Sequence, residues 1–209
     1  MITLYITRHG ETEWNTQNRM QGWKDSSLTE NGIKNAMELG ERLKDTSFSA
    51  IYSSPSGRTV ATTKMICGDR NVPIIYDDNL KEIFLGEWEG KTKDIIKENY
   101  PNEFNSFWNA PHQYNPLAQE GFLDVKERAM KVLNRIQREN TSGNILIVTH
   151  TVVIKCLFLI FKNLPLERLW EPPFIHDTSL TIVEMEKETT RIVIEGDISH
   201  RAAIATNKS

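Results

Sequence analysis

The chain opens on Ile2-Thr3-Leu4-Tyr5-Ile6-Thr7 and runs directly into Arg8-His9-Gly10-Glu11. A short β-branched and aromatic run reads as a buried strand. In open α/β sheets, ligands bind in the crevice beyond the carboxyl ends of the strands. Arg8 and His9 are therefore delivered side by side to a ligand site, and Gly10 lets the backbone turn away sharply. Much later, Asn144-Ile145-Leu146-Ile147-Val148-Thr149-His150 repeats the arrangement. If the two strands are neighbours in one parallel sheet, His9 and His150 meet. Two histidines and an arginine at strand ends suggest a phosphate site.

Outward from these two strands, strand-like and helix-like runs alternate, the signature of a parallel α/β sheet. A polar loop is expected over residues 12–27. Thr29 then caps a helix whose apolar stripe is Ile33, Ala36, Met37, Gly40 and Leu43. Residues 50–53 read as a second strand, 58–67 as a helix and 73–76 as a third strand. Residues 80–122 hold much of the aromatic content with weak periodicity. They read as an excursion on one side of the sheet, with short helices near 92–99 and 102–108. A helix over 123–139 precedes the His150 strand. Residues 178–185 and 191–195 read as two antiparallel closing strands joined at Lys187-Glu188. A polar tail after about His200 is expected to fray. No internal repeat or linker divides the 209 residues, so one domain over 1–209 is expected.

Bulk properties narrow the function classes. A 39% hydrophobic and 25% charged composition is that of a soluble globular protein. A net charge of -3 gives no overall attraction for nucleic acid or an anionic membrane, so an anion must be drawn in locally. The longest apolar stretch, residues 152–161, is interrupted by Lys155 and too short to span a bilayer. No leader pattern opens the chain, so a cytoplasmic location is expected. The 2 cysteines, Cys67 and Cys156, sit apart in apolar stretches and read as core thiols. No metal-ligand spacing occurs, so no metal is expected.

Four segments carry candidate chemistry: Arg8 and His9, Arg58 at the start of a helix, Glu82 beyond the third strand, and His150. All follow strands, so a parallel sheet gathers them on one edge. Two guanidiniums match the oxygens of a phosphate dianion and disfavour protonation of nearby imidazoles. A neutral imidazole nitrogen can attack phosphorus to give a phosphohistidine. The leaving alkoxide needs a proton, and the Glu82 carboxyl is the candidate donor.

Arg8-His9-Gly10-Glu11-Thr12-Glu13-Trp14-Asn15 resembles the RHGxTxxN signature of the histidine phosphatase superfamily, the phosphoglycerate-mutase-like proteins. Gln21-Gly22 with Asp25, Leu28-Thr29 with Gly32, Ser53-Ser54 with Arg58 and Thr62, Glu82 with residues 84–90, and Val148-Thr149-His150 follow in the family's order. Further stretches, among them Gln21-Gly22-Trp23, Phe107-Trp108 and Pro172-Pro173, look like the PhoE-type branch of broad-specificity bacterial phosphatases. The resemblance implies a three-layer α/β/α fold with a mostly parallel sheet. It implies His9 as nucleophile, Glu82 as proton donor, and Arg8, Arg58 and His150 as the phosphate pocket, lined by Asn15, Gln21 and Gly22. It implies no metal or organic cofactor. Thr151 departs from the glycine usual after the second histidine; it keeps the backbone N–H facing the phosphate but adds a branched side chain. His112, His176 and His200 match no motif and are expected to be structural or surface residues.

The expected activity is hydrolysis of a small phosphomonoester. The alternatives are a phosphoglycerate-type mutase, which must exclude water from its intermediate, and a non-catalytic phosphate-binding module on the same fold. The intact His9, Glu82 and His150 set argues against the last. The aromatic residues Trp14, Trp23, Phe84, Trp88, Phe107 and Trp108 either wall the site for a bulky leaving group or form the core of the excursion. The oligomeric state stays open.

Overall fold

A computed structural model describes residues 1–116, 120–186 and 189–201. Among these, six strands form one sheet: β1 (Ile2–Arg8), β2 (Phe48–Ser53), β3 (Ile74–Tyr76), β4 (Gly143–Thr149), β5 (Leu180–Glu186) and β6 (Thr189–Asp197). Their order is β3-β2-β4-β1-β5-β6. The first four strands are mutually parallel, and β5 lies antiparallel to both β1 and β6. The helices are α1 (Glu13–Thr16), α2 (Glu30–Arg42), α3 (Gly57–Cys67), α4 (Lys93–Asn99), α5 (Pro101–Asn109), α6 (Phe122–Glu139) and α7 (Thr151–Phe161).

Alternation along the strands sorts side chains into two cores. Leu4, Ile6, Ile145 and Ile147 face α6, α7 and the aromatic excursion. Leu146, Val148 and Ile51 face Leu39 of α2 and Ile66 of α3. The result is three layers, helices on each side of the sheet. On α6, Val125, Ala129, Val132, Leu133 and Ile136 recur at helical spacing and are all buried. Each fully buried branched aliphatic side chain contributes roughly 1.5–3 kcal/mol. No helix among the described residues is long and apolar enough to cross a membrane. Cys67 and Cys156 are both buried and unpaired.

One short element departs from the sequence reading. Inside the expected loop over 12–27, residues 13–16 form the helix α1. Thr12 caps it, its side chain accepting from the Asn15 backbone while the Asn15 side chain accepts from the Thr12 backbone. One turn of helix carries no apolar period, so only this capping pair marks it. The expected Lys187-Glu188 turn and the tail beyond Arg201 lie outside the described residues.

The topology builds the crevice. β4 lies between β1 and β2, in a register that pairs Arg8 with Thr149. The next residue on each strand is a histidine. The chain leaves β1 towards α2 on one face and leaves β4 into α7 on the other, so a cleft opens between the two exits.

Candidate active site

His9 is anchored through the backbone. Its N–H donates to the Thr149 carbonyl at 3.0 Å, and that of Gly10 donates to Thr62 Oγ1 at 2.9 Å. A Cβ on Gly10 would stand 2.7 Å from the Gly32 carbonyl oxygen, so only glycine lets the chain turn here. The His9 ring is 3% exposed, with Nδ1 2.7 Å from the Gly10 carbonyl. A carbonyl only accepts, so Nδ1 carries the proton and Nε2 keeps its lone pair. Burial first, then the Arg8 and Arg58 guanidiniums, hold His9 well below the ordinary histidine range, against the Gly10 hydrogen bond. The imidazole is neutral at pH 7.

His150 takes the opposite tautomer. Arg58 Nη2 lies 3.1 Å from its Nδ1. A guanidinium only donates, so the proton sits on Nε2 and is given to Ser54 Oγ at 2.8 Å. The two rings meet as the sheet order demands, 5.3 Å apart. Yet His150 is fully buried behind His9 and Arg58 and does not line the cavity. Burial first, then Arg58 and His9, push it far below the ordinary histidine range. It thus braces Arg58 from the rear.

Arg58 is 2% exposed and heavily tied. Nη1 donates to Asp25 Oδ1 at 2.9 Å and to the Lys24 carbonyl at 2.8 Å. Nη2 donates to the Gly22 carbonyl at 2.8 Å as well as to His150. Only Nε is left, buried and unpartnered. Arg8 is similar: Nη1 donates to the Ile175 carbonyl at 3.1 Å, and its buried Nε has no partner. Each guanidinium thus keeps one buried donor without an acceptor, and both side chains line the cavity beside His9, so positive charge is held at that wall.

Glu82 lines the same cavity. Its Oε1 accepts from the Ile83 N–H at 3.0 Å and the Val152 N–H at 3.2 Å. Burial nonetheless lifts its carboxyl above the ordinary range, outweighing these donors and the Arg58 and Arg128 charges. A carboxyl that keeps its proton to higher pH is suited to protonating a leaving group.

The cavity holds about 580 Å³. Arg8, His9, Arg58, Glu82, Asn15, Gln21, Gly22 and Thr151 all line it, leaving His150 the one expected site residue behind the wall. Gln21 is committed at both ends, Nε2 to Thr12 Oγ1 and Oε1 to Ser26 Oγ. Thr151 is the first residue of α7, and the next N–H already serves Glu82.

Other wall residues come from segments that matched no motif role. Lys155, one turn into α7, donates to the Glu171 and Pro173 carbonyls at 2.5 and 2.6 Å and is pushed down by burial to about 8. Trp170, Phe174 and Asp177 follow in the stretch before β5. His176, expected to be a structural or surface residue, also lines the cavity, and its ring stands edge-on to Phe174 at 4.7 Å. The aromatic alternatives resolve residue by residue. Trp88 packs in the core, Phe107 and Trp108 serve both core and wall, and Trp14, Trp23 and Phe84 stay off the wall.

Gly22 gives a first test. Its φ is +54°, and a Cβ there would stand 2.3 Å from Glu89 Oε1, which accepts from the Trp23 N–H. Gly22→Ala is expected to lower stability by about 1–3 kcal/mol and to weaken phosphate binding, because the Gly22 carbonyl orients Arg58. Thermal melting and inorganic phosphate titration read the two effects. An unchanged melting temperature would contradict the strain argument.

The family model for the histidine phosphatase superfamily (branch 1) matches residues 4–197. The solved structure of Bacillus stearothermophilus YhfR superposes with a TM-score of 0.92 at 49% identity, covering 96% of this chain and 99% of that one. Phosphoserine phosphatase 1 of Hydrogenobacter thermophilus is 29% identical over 92% of this chain and 91% of its own length. A probable phosphoglycerate mutase, GpmB of Escherichia coli, is 29% identical over 100% of this chain and 99% of its own. Phosphatases and mutase-like proteins thus both stand among the relatives. With the Arg-His turn, the second histidine beside it and the match along nearly the whole chain, this protein belongs to the histidine phosphatase superfamily.

Proposed function

We propose that the protein is a phosphomonoester hydrolase of broad specificity that works through a phosphohistidine on His9. The observation that carries this reading is the state of the His9 ring: neutral, with Nδ1 committed to the Gly10 carbonyl and Nε2 left as the reactive atom. The phosphoryl dianion sits against the Arg8 and Arg58 guanidiniums that line the cavity beside His9. His9 Nε2 attacks phosphorus, the P–O bond to the alcohol breaks, and Glu82 gives its proton to the departing oxygen. A water then loses a proton to the Glu82 carboxylate and attacks phosphorus. The P–N bond breaks, phosphate leaves and both residues are restored. Breadth of specificity is supported by the mixed wall, where Phe107, Trp108 and Trp170 offer apolar surface beside the polar Lys93, His176 and Asp177.

The test is phosphate release from a panel of phosphomonoesters, phosphoserine and 3-phosphoglycerate included, with mutase turnover assayed alongside. Hydrolysis of several members at comparable kcat/KM is expected; phosphoryl transfer between the hydroxyls of phosphoglycerate without phosphate release would favour the mutase. Activity is also expected to survive prolonged treatment with EDTA. Among the described residues no group of three or more His, Cys, Asp or Glu is placed to hold a metal ion, and the arginines supply the positive charge. Loss restored only by a divalent metal would overturn this mechanism.

A further inference from the structure

Glu82 has no helix or strand of its own. It lies in an irregular stretch between two short 3-10 turns, Asp78–Leu80 and Gly86–Trp88. A general acid must stand within hydrogen-bond reach of the leaving oxygen, and a displacement of about 1 Å costs on the order of 10²-fold in rate. Something must therefore fix this stretch. Arg128, on α6, reaches across to it. Nη1 donates to the Asn79 carbonyl at 2.8 Å and also to the Lys81 carbonyl, and Nη2 donates to the Glu82 carbonyl at 3.0 Å. Nε and Nη2 fork onto Glu120 at 2.6 and 3.0 Å. Glu120 Oε2 in turn accepts the Phe84 N–H at 2.9 Å. All five guanidinium protons are used, and the backbone is held on both sides of Glu82. Trp23 Nε1 adds a bond to the Glu82 carbonyl from the solvent side.

We infer that Arg128, braced by Glu120, is a positioning residue that holds the Glu82 carboxyl at the leaving-group side of the cavity. Arg128 does not itself line the cavity; it acts through the stretch it grips and through its charge on Glu82, and a lysine in its place keeps the charge but not the grip. The inference rests on Glu82 being the proton donor. A lysine keeps the charge at this position, but its ammonium is a single point with three donors. It cannot span three carbonyls and a carboxylate in a plane.

The test compares Arg128→Lys with the wild type on β-glycerophosphate, which has a poor leaving group, and on p-nitrophenyl phosphate, which has a good one. With β-glycerophosphate kcat is expected to fall about tenfold or more at little-changed KM, while p-nitrophenyl phosphate turnover stays within about twofold. In a Glu82→Gln background the same substitution should leave the ratio of the two substrates unchanged. Glu120→Gln, which keeps shape and one acceptor oxygen, repeats the comparison if Arg128→Lys does not fold. Equal losses on both substrates would mean a general structural role and overturn the inference, as would a further shift of the ratio in the Glu82→Gln background. If Glu82→Gln itself does not separate the two substrates, the donor assignment falls and the inference with it. If Glu82→Gln separates them and Arg128→Lys does not, the inference alone falls.

Discussion

His9→Ala leaves a folded protein with no turnover. In the proposed mechanism the attacking atom is the ring nitrogen of His9 not bonded to the backbone, and a methyl group cannot accept a phosphoryl group. The expected loss is at least about 10⁴-fold, the scale seen when a covalent nucleophile is removed. The fold should persist, because the backbone bonds of His9 and Gly10 to Thr149 and Thr62 do not involve the ring. Arg8 and Arg58 remain, so inorganic phosphate should still bind. Quenched-flow labelling with a radiolabelled phosphomonoester should trap an acid-labile, base-stable phosphoenzyme in the wild type and none in the variant. Residual activity near the wild-type level would remove His9 from the mechanism.

Glu82→Gln should separate substrates by their leaving groups. An acidic phenol departs without help, whereas an alkoxide must be protonated, so alkyl phosphates are expected to lose about 10²–10⁴-fold and activated aryl phosphates far less. Glutamine keeps an oxygen for the Ile83 and Val152 N–H groups, so the stretch need not rearrange. The pH profile gives a second reading. Burial raises the Glu82 carboxyl, so the proton needed for alkyl phosphates is present below that raised value and lost as pH rises through it. His9 is lowered, so its neutral form persists as pH falls below the ordinary histidine range. Alkyl phosphate turnover should therefore hold up as pH falls below the ordinary histidine range and decline as pH rises through the raised Glu82 value. The basic limb due to Glu82 should vanish in the variant. Equal losses on both substrate types would assign Glu82 a role in binding instead.

What was legible in the sequence was local. β1 and β4 are short apolar runs that no helix period fits, and each ends on a histidine, so the pair could be named before its geometry was seen. Arg58 and Glu82 also follow strands, but it is the family motifs they match, rather than that placement, that mark them as site residues. The remaining features depend on distant contacts. Asp25 holds the Arg58 guanidinium from a loop, and Arg128 grips the Glu82 stretch from α6. Neither spacing is encoded in a period. The set-back position of His150 follows from Ser54 and Arg58 closing on both ring nitrogens, which sequence order cannot show. Residues 169–177 are legible only through the resemblance carried by Pro172-Pro173, which assigns them no role. They form much of the cavity wall, yet apart from the 3-10 turn just before them they carry no regular element, and so offer no periodic signal to read.

The position of β4 has a consequence for how the protein comes into being. The strand fills a slot between β1 and β2, but it is synthesised long after both. Until Gly143 is made, the strand that pairs with both β1 and β2 is missing, and β5, the other neighbour of β1, is unmade too, so both edges of β1 and the β4-facing edge of β2 have no partners from this sheet. Such edges invite wrong partners, and pairings so remote in sequence close slowly because a long loop must first be ordered. In the finished sheet β4 pairs with both strands and brings His150 against Arg58. Completion of the site waits longer still: Ile175, whose carbonyl accepts from Arg8, and the rest of the wall over residues 169–177 follow β4 in the chain, so a nascent chain that already holds both histidines still lacks part of the cavity.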